Sequence, residues 1–224
     1  EYKLNSFVSI FDLTDEETGE VSEGISRVEI TYESTTGEVT EEVTNGMEAD
    51  IEYSLSVKIK IELQDGYNLV AVSITGETYS NTLTEDDMEL GYLTFTMPAE
   101  SIDVKIEVER SQYQIKFHKN FKSDMSYTTQ DVRYLDTDVQ LVGNYVEVGY
   151  ELLGWALSSE GEVEYEIDDV IEEYTWAEDL DLYAVWKNNT YTISFSNNGG
   201  SGEIDDVTAN YDEVLQLPEE DVLS

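Results

Sequence analysis

The sequence predicts an all-β protein built from small repeat modules in tandem, and three observations carry that prediction. Short runs alternate apolar and charged residues with a period of two. Turn dipeptides containing glycine separate the runs. A block of sequence also returns after 78 residues, at Tyr113 and again at Tyr191.

In chain order the alternating runs are Val28-Glu29-Ile30-Thr31-Tyr32, Val57 to Leu63, Val104 to Glu109 and Tyr113 to His118. Each places apolar side chains on one face and charged ones on the other, as a half-buried strand requires. The turn signals are Thr36-Gly37, Asn45-Gly46, Asp65-Gly66 and Asn198-Gly199-Gly200. The two prolines, Pro98 and Pro218, sit at run boundaries. Connections this short predict antiparallel neighbours. One segment departs from the pattern. Glu164 to Glu178 spaces Ile167, Val170, Ile171 and Tyr174 by three and four, which fits a short amphipathic helix, with a loop holding one helical turn as the alternative.

The repeat pairs Tyr113-Gln-Ile-Lys-Phe-His-Lys-Asn120 with Tyr191-Thr-Ile-Ser-Phe-Ser-Asn-Asn198. Tyr134 followed by Val139-Gln140-Leu141 then returns as Tyr211 followed by Leu215-Gln216-Leu217. A fainter echo links Gly66-Tyr67-Asn68-Leu69 to Gly149-Tyr150-Glu151-Leu152, and Tyr2-Lys3-Leu4 to both. The expected organisation is an N-terminal segment over 1–26, with the end of a preceding module as one reading of it, modules over 27–110 and 111–188, and the truncated start of a further repeat over 189–224.

The formal net charge is −40, and after Arg133 the only basic residue is Lys187. A surface of that sign repels phosphate backbones and anionic lipids, so nucleic-acid and membrane-surface partners are not expected. No apolar stretch approaches the ~20 residues that span a bilayer, so membrane insertion is not expected. Cysteine is absent, which leans towards export. With neither a leader at Glu1 nor a sorting signal after Ser224, the sequence reads as a piece of a longer protein.

The order Phe117-x-x-Asn120, Gly149-Tyr150-x-x-x-Gly154-Trp155 and Asp181-Leu182-Tyr183-Ala184-Val185-Trp186 resembles the Listeria–Bacteroides repeat, which is similar to the B repeats of internalins. The likeness covers about residues 111 to 188, with a half copy beyond. Gly66-Tyr67-x-Leu69-x-x-Val72 and Phe95-Thr96-Met97-Pro98 through Val104 resemble a divergent form of the same repeat over about 27 to 110. The first copy departs from the pattern at two places. It reads Lys119-Asn120-Phe121-Lys122 where the second has an Asn-Gly-Gly turn, and Leu141-Val142 where the second has Leu217-Pro218. The resemblance implies β-grasp-like modules on a secreted or wall-attached bacterial protein, and it carries no catalytic residue.

In a module of this size a few large rings supply much of the core, at roughly 150–250 Å² each. Trp155, Trp186, Tyr150, Tyr183, Phe117 and Phe195 are the expected core aromatics. Gly149 and Gly154 flank a strand where a missing side chain admits a bulge or a close ring.

Chemistry finds little to work with. His118 falls opposite Ile115 and Phe117 and is expected to face solvent; without Cys or a second His it assembles neither a nucleophilic dyad nor a zinc site. Carboxylates abound, but glycosidic chemistry needs two at a set separation in a cleft. No cofactor is expected. The one metal option is weak, distributed calcium binding at acidic clusters: Asp12 to Glu17, Glu85 to Asp87, Asp136 with Asp138, Asp205-Asp206 and, as the candidates singled out, Asp168, Asp169, Glu172 and Glu173. Lys58, Lys60, Lys105 and Lys116 alternate with the apolar face, which disfavours isopeptide cross-links. Asn188-Asn189-Thr190 fits a glycosylation acceptor in a linker.

The expectation is therefore a non-enzymatic cell-surface repeat region, an adhesive stalk or spacer that contacts protein or surface ligands or itself. The rivals are a carbohydrate-binding accessory module, favoured by coplanar exposed rings among Tyr92, Tyr127 and Trp176, and a filament or layer subunit joined by strand addition.

Overall fold

The structure is a computed structural model that describes residues 6–12, 23–196, 198–199 and 204–216. The acidic residues Asp15, Glu16 and Glu17, the turn residue Gly200 and the pair Leu217-Pro218 lie outside the described residues. Two compact units form. The first holds Glu1–Gln112, Arg133–Leu135 and Thr175–Ala177; the second holds Tyr113–Val132, Asp136–Tyr174 and Glu178–Ser224. Both are built from strands, as the alternation predicts.

The first unit contains β1 (Ser6–Asp12), β2 (Ile25–Ser34), β3 (Gly37–Glu42), β4 (Glu48–Glu52), β5 (Ser56–Leu63), β6 (Tyr67–Gly76), β7 (Ser80–Leu83), β8 (Leu93–Thr96) and β9 (Ile102–Arg110). One sheet has the order β4-β1-β9-β6-β7 and the other β3-β2-β5-β8. Alternation turns Val28 and Ile30, Val57 and Ile59, and Leu93 and Phe95 into one shared core with Ile51, Val72, Ile74, Val104 and Ile106. Residues 1–26 are set apart in the sequence, yet β1 lies inside a sheet, antiparallel to β4 and parallel to β9.

The second unit contains β10 (Gln112–His118), β11 (Tyr127–Arg133), β12 (Thr137–Gln140), β13 (Tyr150–Ala156), β14 (Tyr165–Glu166), β15 (Val170–Glu173), β16 (Leu180–Asn188), β17 (Thr190–Ile193) and β18 (Val207–Asn210). Its main sheet has the order β11-β10-β16-β13-β14, with β12-β15 and β17-β18 as separate ribbons. The first strand β10 runs parallel to the last, β16, at the sheet's centre, and β13 is antiparallel to β16. This is the strand order of a β-grasp sheet.

Each unit therefore contains a five-stranded sheet of one plan. The correspondence reaches the register: Tyr67 opposes Arg110 as Tyr150 opposes Asn188, and the ladder slips between Leu69 and Ala71 as it does between Leu152 and Gly154. The ribbon β17-β18 pairs Tyr191 with Ala209 and begins the plan again.

Two expectations need correction. Neighbours are not all antiparallel, because the first and last strands of a module meet after the whole intervening chain has crossed over. Nor do residues 164–178 form a helix: β14 and β15 occupy the segment, and among the described residues the only helical turn is a 3-10 turn at Glu85–Asp87. A helix would stack Asp168 on Glu172 and Asp169 on Glu173, like charges four residues apart. As a strand β15 instead alternates, turning Ile171 inward and pairing it with Val139 of β12.

Candidate functional site

The core of the second unit forms around Trp155. Its indole is fully buried, edge-on to Phe117 at 4.8 Å and near Tyr145 at 6.1 Å. Tyr145 donates its hydroxyl proton to the Phe117 carbonyl at 2.7 Å. Gly154 sits at the ladder slip with φ 153°, where a β-carbon would run into the Tyr165 carbonyl oxygen. Of the six aromatics expected in the core, Trp155 and Phe117 are buried, whereas Trp186, Tyr150, Tyr183 and Phe195 are half-buried. The reason is alternation on β16: Leu182 and Ala184 point inward, so Tyr183 points out. Trp186 shares the inward phase but sits near the strand end, where Nε1 donates to the Lys119 carbonyl at 2.8 Å and the ring meets Phe121 at 5.4 Å. Phe195 follows β17, and a two-stranded ribbon cannot enclose a ring.

Tyr174, noticed in the sequence only as a helix-spaced apolar residue, is fully buried and stacks on Tyr113. Its hydroxyl donates to the Glu178 carbonyl at 2.8 Å, and burial together with the nearby Asp179 pushes its pKa well above the ordinary phenol value. The motif residue Asn120 also has a definite task. In a left-handed conformation (φ 46°) it donates its amide to the Ser159 and Ala184 carbonyls.

His118 lies on the face opposite the core but does not point freely into solvent. Nε2 is 2.6 Å from Asp181 Oδ1, and the ring stacks on Tyr183 at 4.6 Å with Tyr127 at 5.1 Å. Sheet pairing supplies the contact, because His118 and Tyr183 are register partners on adjacent strands. His118 and Tyr183 therefore face each other and do not form a flat platform with Tyr127.

Two of the scarce cations, Lys116 and Lys119, are ion-paired at this sheet. Lys119 Nζ lies 2.8 Å from Asp124 and 2.6 Å from Glu147, which hold its pKa above the usual lysine range. In return Lys119 and then Ser126 draw the Asp124 carboxyl down to about 2. Lys116 pairs with Asp179 at 2.8 Å, and that carboxylate, lowered first by Lys116, also accepts the Gln114 backbone N–H. Lys58, Lys60, Lys105 and Lys116 lie exposed or half-buried on their strands.

The acidic residues do not converge. Glu172 and Glu173 are successive strand residues and point to opposite faces, while Asp169 spends its oxygens on the Glu166 and Val170 N–H groups. Among the described residues no group of three or more His, Cys, Asp or Glu side chains is placed to hold a metal ion. The glycosylation acceptor Asn188 is engaged as well, its side-chain amide donating to the Tyr211 carbonyl at 2.6 Å.

What the geometry defines is an all-β repeat protein in which aromatic and charged side chains serve the sheets. Residues 113–185 match the family model of the Listeria-Bacteroides repeat domain. The chain is also 29% identical, over 68% of its length, to a protein of Evansella cellulosilytica named "Putative Gly-rich membrane protein". It is 32% identical, over 65% of its length, to a "Putative membrane protein" of the same organism. It spans only 17% and 20% of those two proteins. Among the described residues no helix is long and apolar enough to cross a membrane.

Proposed function

We propose that this chain is a non-enzymatic segment of a bacterial surface protein that acts as a spacer or stalk and adheres through weak, repeated contacts. The observation that carries the reading is the recurrence of one sheet plan: β4-β1-β9-β6-β7, then β11-β10-β16-β13-β14, then the ribbon β17-β18. We read the first unit as a divergent form of the repeat in the second. Repetition multiplies length, and it multiplies weak sites into a usable effective concentration. The membrane-protein names of the two relatives support a place at the cell envelope, outside the cell. The charge of −40 supports solubility there and protein or surface ligands over nucleic acid.

Intact cells of the producing bacterium, labelled with antibody to this segment, test the location. Labelling without lysis is expected, and labelling only after lysis would overturn the reading. Adhesion is read separately from beads coated with one, two or four copies of the segment. Retention on host or sibling cells should rise more steeply than copy number, and retention equal to that of uncoated beads would remove the adhesive role.

A further inference from the structure

The most informative contact in the molecule occurs twice. In the second unit, Gly149 opens β13 with φ 82°, and a β-carbon there would overlap the ring of Tyr211. Tyr211 closes the ribbon β17-β18, the start of the next sequence repeat. Its ring lies edge-on to Tyr150 at 5.5 Å. Two backbone bonds complete the seat: Asn189 N–H donates to the Gly149 carbonyl at 2.9 Å, and Tyr211 N–H donates to the Asn189 carbonyl at 2.8 Å. Within the first unit, Gly66 has φ 84° and its missing β-carbon leaves room for the ring of Tyr134. That ring is edge-on to Tyr67 at 5.7 Å. Ser111 N–H donates to the Gly66 carbonyl at 2.8 Å, and Tyr134 N–H to the Ser111 carbonyl at 3.0 Å.

Even the carbonyl of the seated tyrosine is covered both times, by the Asn188 amide at 2.6 Å and by the Arg110 guanidinium at 3.4 Å. Asn188 and Arg110 are themselves the register partners of Tyr150 and Tyr67. Only glycine satisfies both demands at positions 149 and 66, a left-handed backbone and a ring laid against the α-carbon. The second seat adds a charged clasp, with Asp212 Oδ2 accepting from Lys122 Nζ at 2.9 Å and from the Tyr150 hydroxyl at 3.0 Å.

We infer that the Gly-Tyr turn opening β13 is a docking seat for the first hairpin of the following repeat, occupied here by Asn189, Tyr211 and Asp212. The partner is a further copy of the repeat in the same chain. It is recognised by a tyrosine at the end of the hairpin's second strand and by the backbone N–H that begins its first. A linker held this way is a joint and does not swivel, because two hydrogen bonds, a ring seat and an ion pair fix the ribbon against β13. The importance of stiffness to a spacer rests on the function proposed above; the joint itself does not.

Amide hydrogen exchange and residual dipolar couplings on the whole chain test the joint and are silent about adhesion. In the native chain the Asn189 and Tyr211 amides should be protected, and β17-β18 should share one alignment with the β10-β16-β13 sheet. Tyr211→Ala should speed exchange at both amides about tenfold and give the ribbon its own alignment, while Ile115 and Leu182 stay protected. Tyr211→Phe keeps the ring and should behave as the native chain. Unprotected Asn189 and Tyr211 amides in the native chain would overturn the inference, as would protection that survives Tyr211→Ala. Loss of protection at Ile115 and Leu182 in Tyr211→Ala would overturn it too, since Tyr211 would then belong to a single core and not to a seat.

Discussion

Trp155 shows what one residue carries here. A fully enclosed indole touching Phe117 leaves a void that the sheet cannot close when it is cut back. Trp155→Ala should therefore destabilise the second unit by ~3–5 kcal/mol, read as a shift in the denaturation midpoint of that unit. Its Nε1 has no hydrogen-bond partner among the described residues, so Trp155→Phe should cost less than the volume change suggests, because it also removes a buried donor. Identical midpoints for the Ala variant and the native chain would show that Trp155 is not central to the core. At the same scale Lys119 joins Asp124 and Glu147, and its carbonyl anchors Trp186. Lys119→Met keeps the chain's backbone acceptor and leaves two carboxylates facing each other without a cation. Lower stability is expected, with a deficit that shrinks as salt is added; a deficit independent of salt would point to lost packing instead.

The elements carry the pH dependence, because the ion pairs tie strands to their loops. Asp124 is drawn down to about 2 by Lys119 and Ser126, and Asp179 is lowered chiefly by Lys116. A carboxylate with a depressed folded pKa contributes stability that is present above its unfolded value of ~3.9 and is lost as pH falls through the folded value. Opposing this, protonating the many unpaired carboxylates relieves the repulsion of a chain with net charge −40. Stability should rise as pH falls from neutral towards the carboxylate range and then drop towards about 2, where Asp124 protonates. Melting temperatures across that range check it, and a monotonic rise down to the lowest pH would show that the Lys119 and Lys116 pairs do not matter. The ribbon β12-β15 makes a second test. Ile171 is its buried residue and pairs with Val139, so Ile171→Ala should destabilise by ~2–4 kcal/mol, whereas Val170→Ala, which changes an exposed neighbour, should be nearly neutral.

For the whole molecule the decisive quantity is the charge. With 51 acidic and 11 basic residues, most carboxylates have no cationic partner to meet. Screening should raise the melting temperature steadily up to about 0.1–0.5 M salt, where the Debye length falls below ~10 Å. Since no acidic cluster among the described residues is arranged as a cage, calcium and magnesium should act alike at matched ionic strength. A shift produced by calcium alone at micromolar concentration would point to a dedicated site and contradict that expectation.

Alternation of apolar and charged residues was enough to settle the strands at Val28, Val57, Val104 and Tyr113, because the period of a pleated strand is written directly in the side chains. The turns at Gly37, Gly46, Gly66 and Gly199 were legible for the same reason: their positive φ values favour glycine. The recurrence of Tyr113 and Tyr134 at Tyr191 and Tyr211 was equally plain, and so was the Listeria–Bacteroides repeat. Only the tertiary structure decided that β10 lies parallel to β16, that residues 164–178 form strands, that Tyr183 faces His118, and that Gly149 seats Tyr211. Each depends on which segments meet across long stretches of chain. Local periodicity says which face of a strand is apolar, but the partner is chosen by closure of the whole sheet.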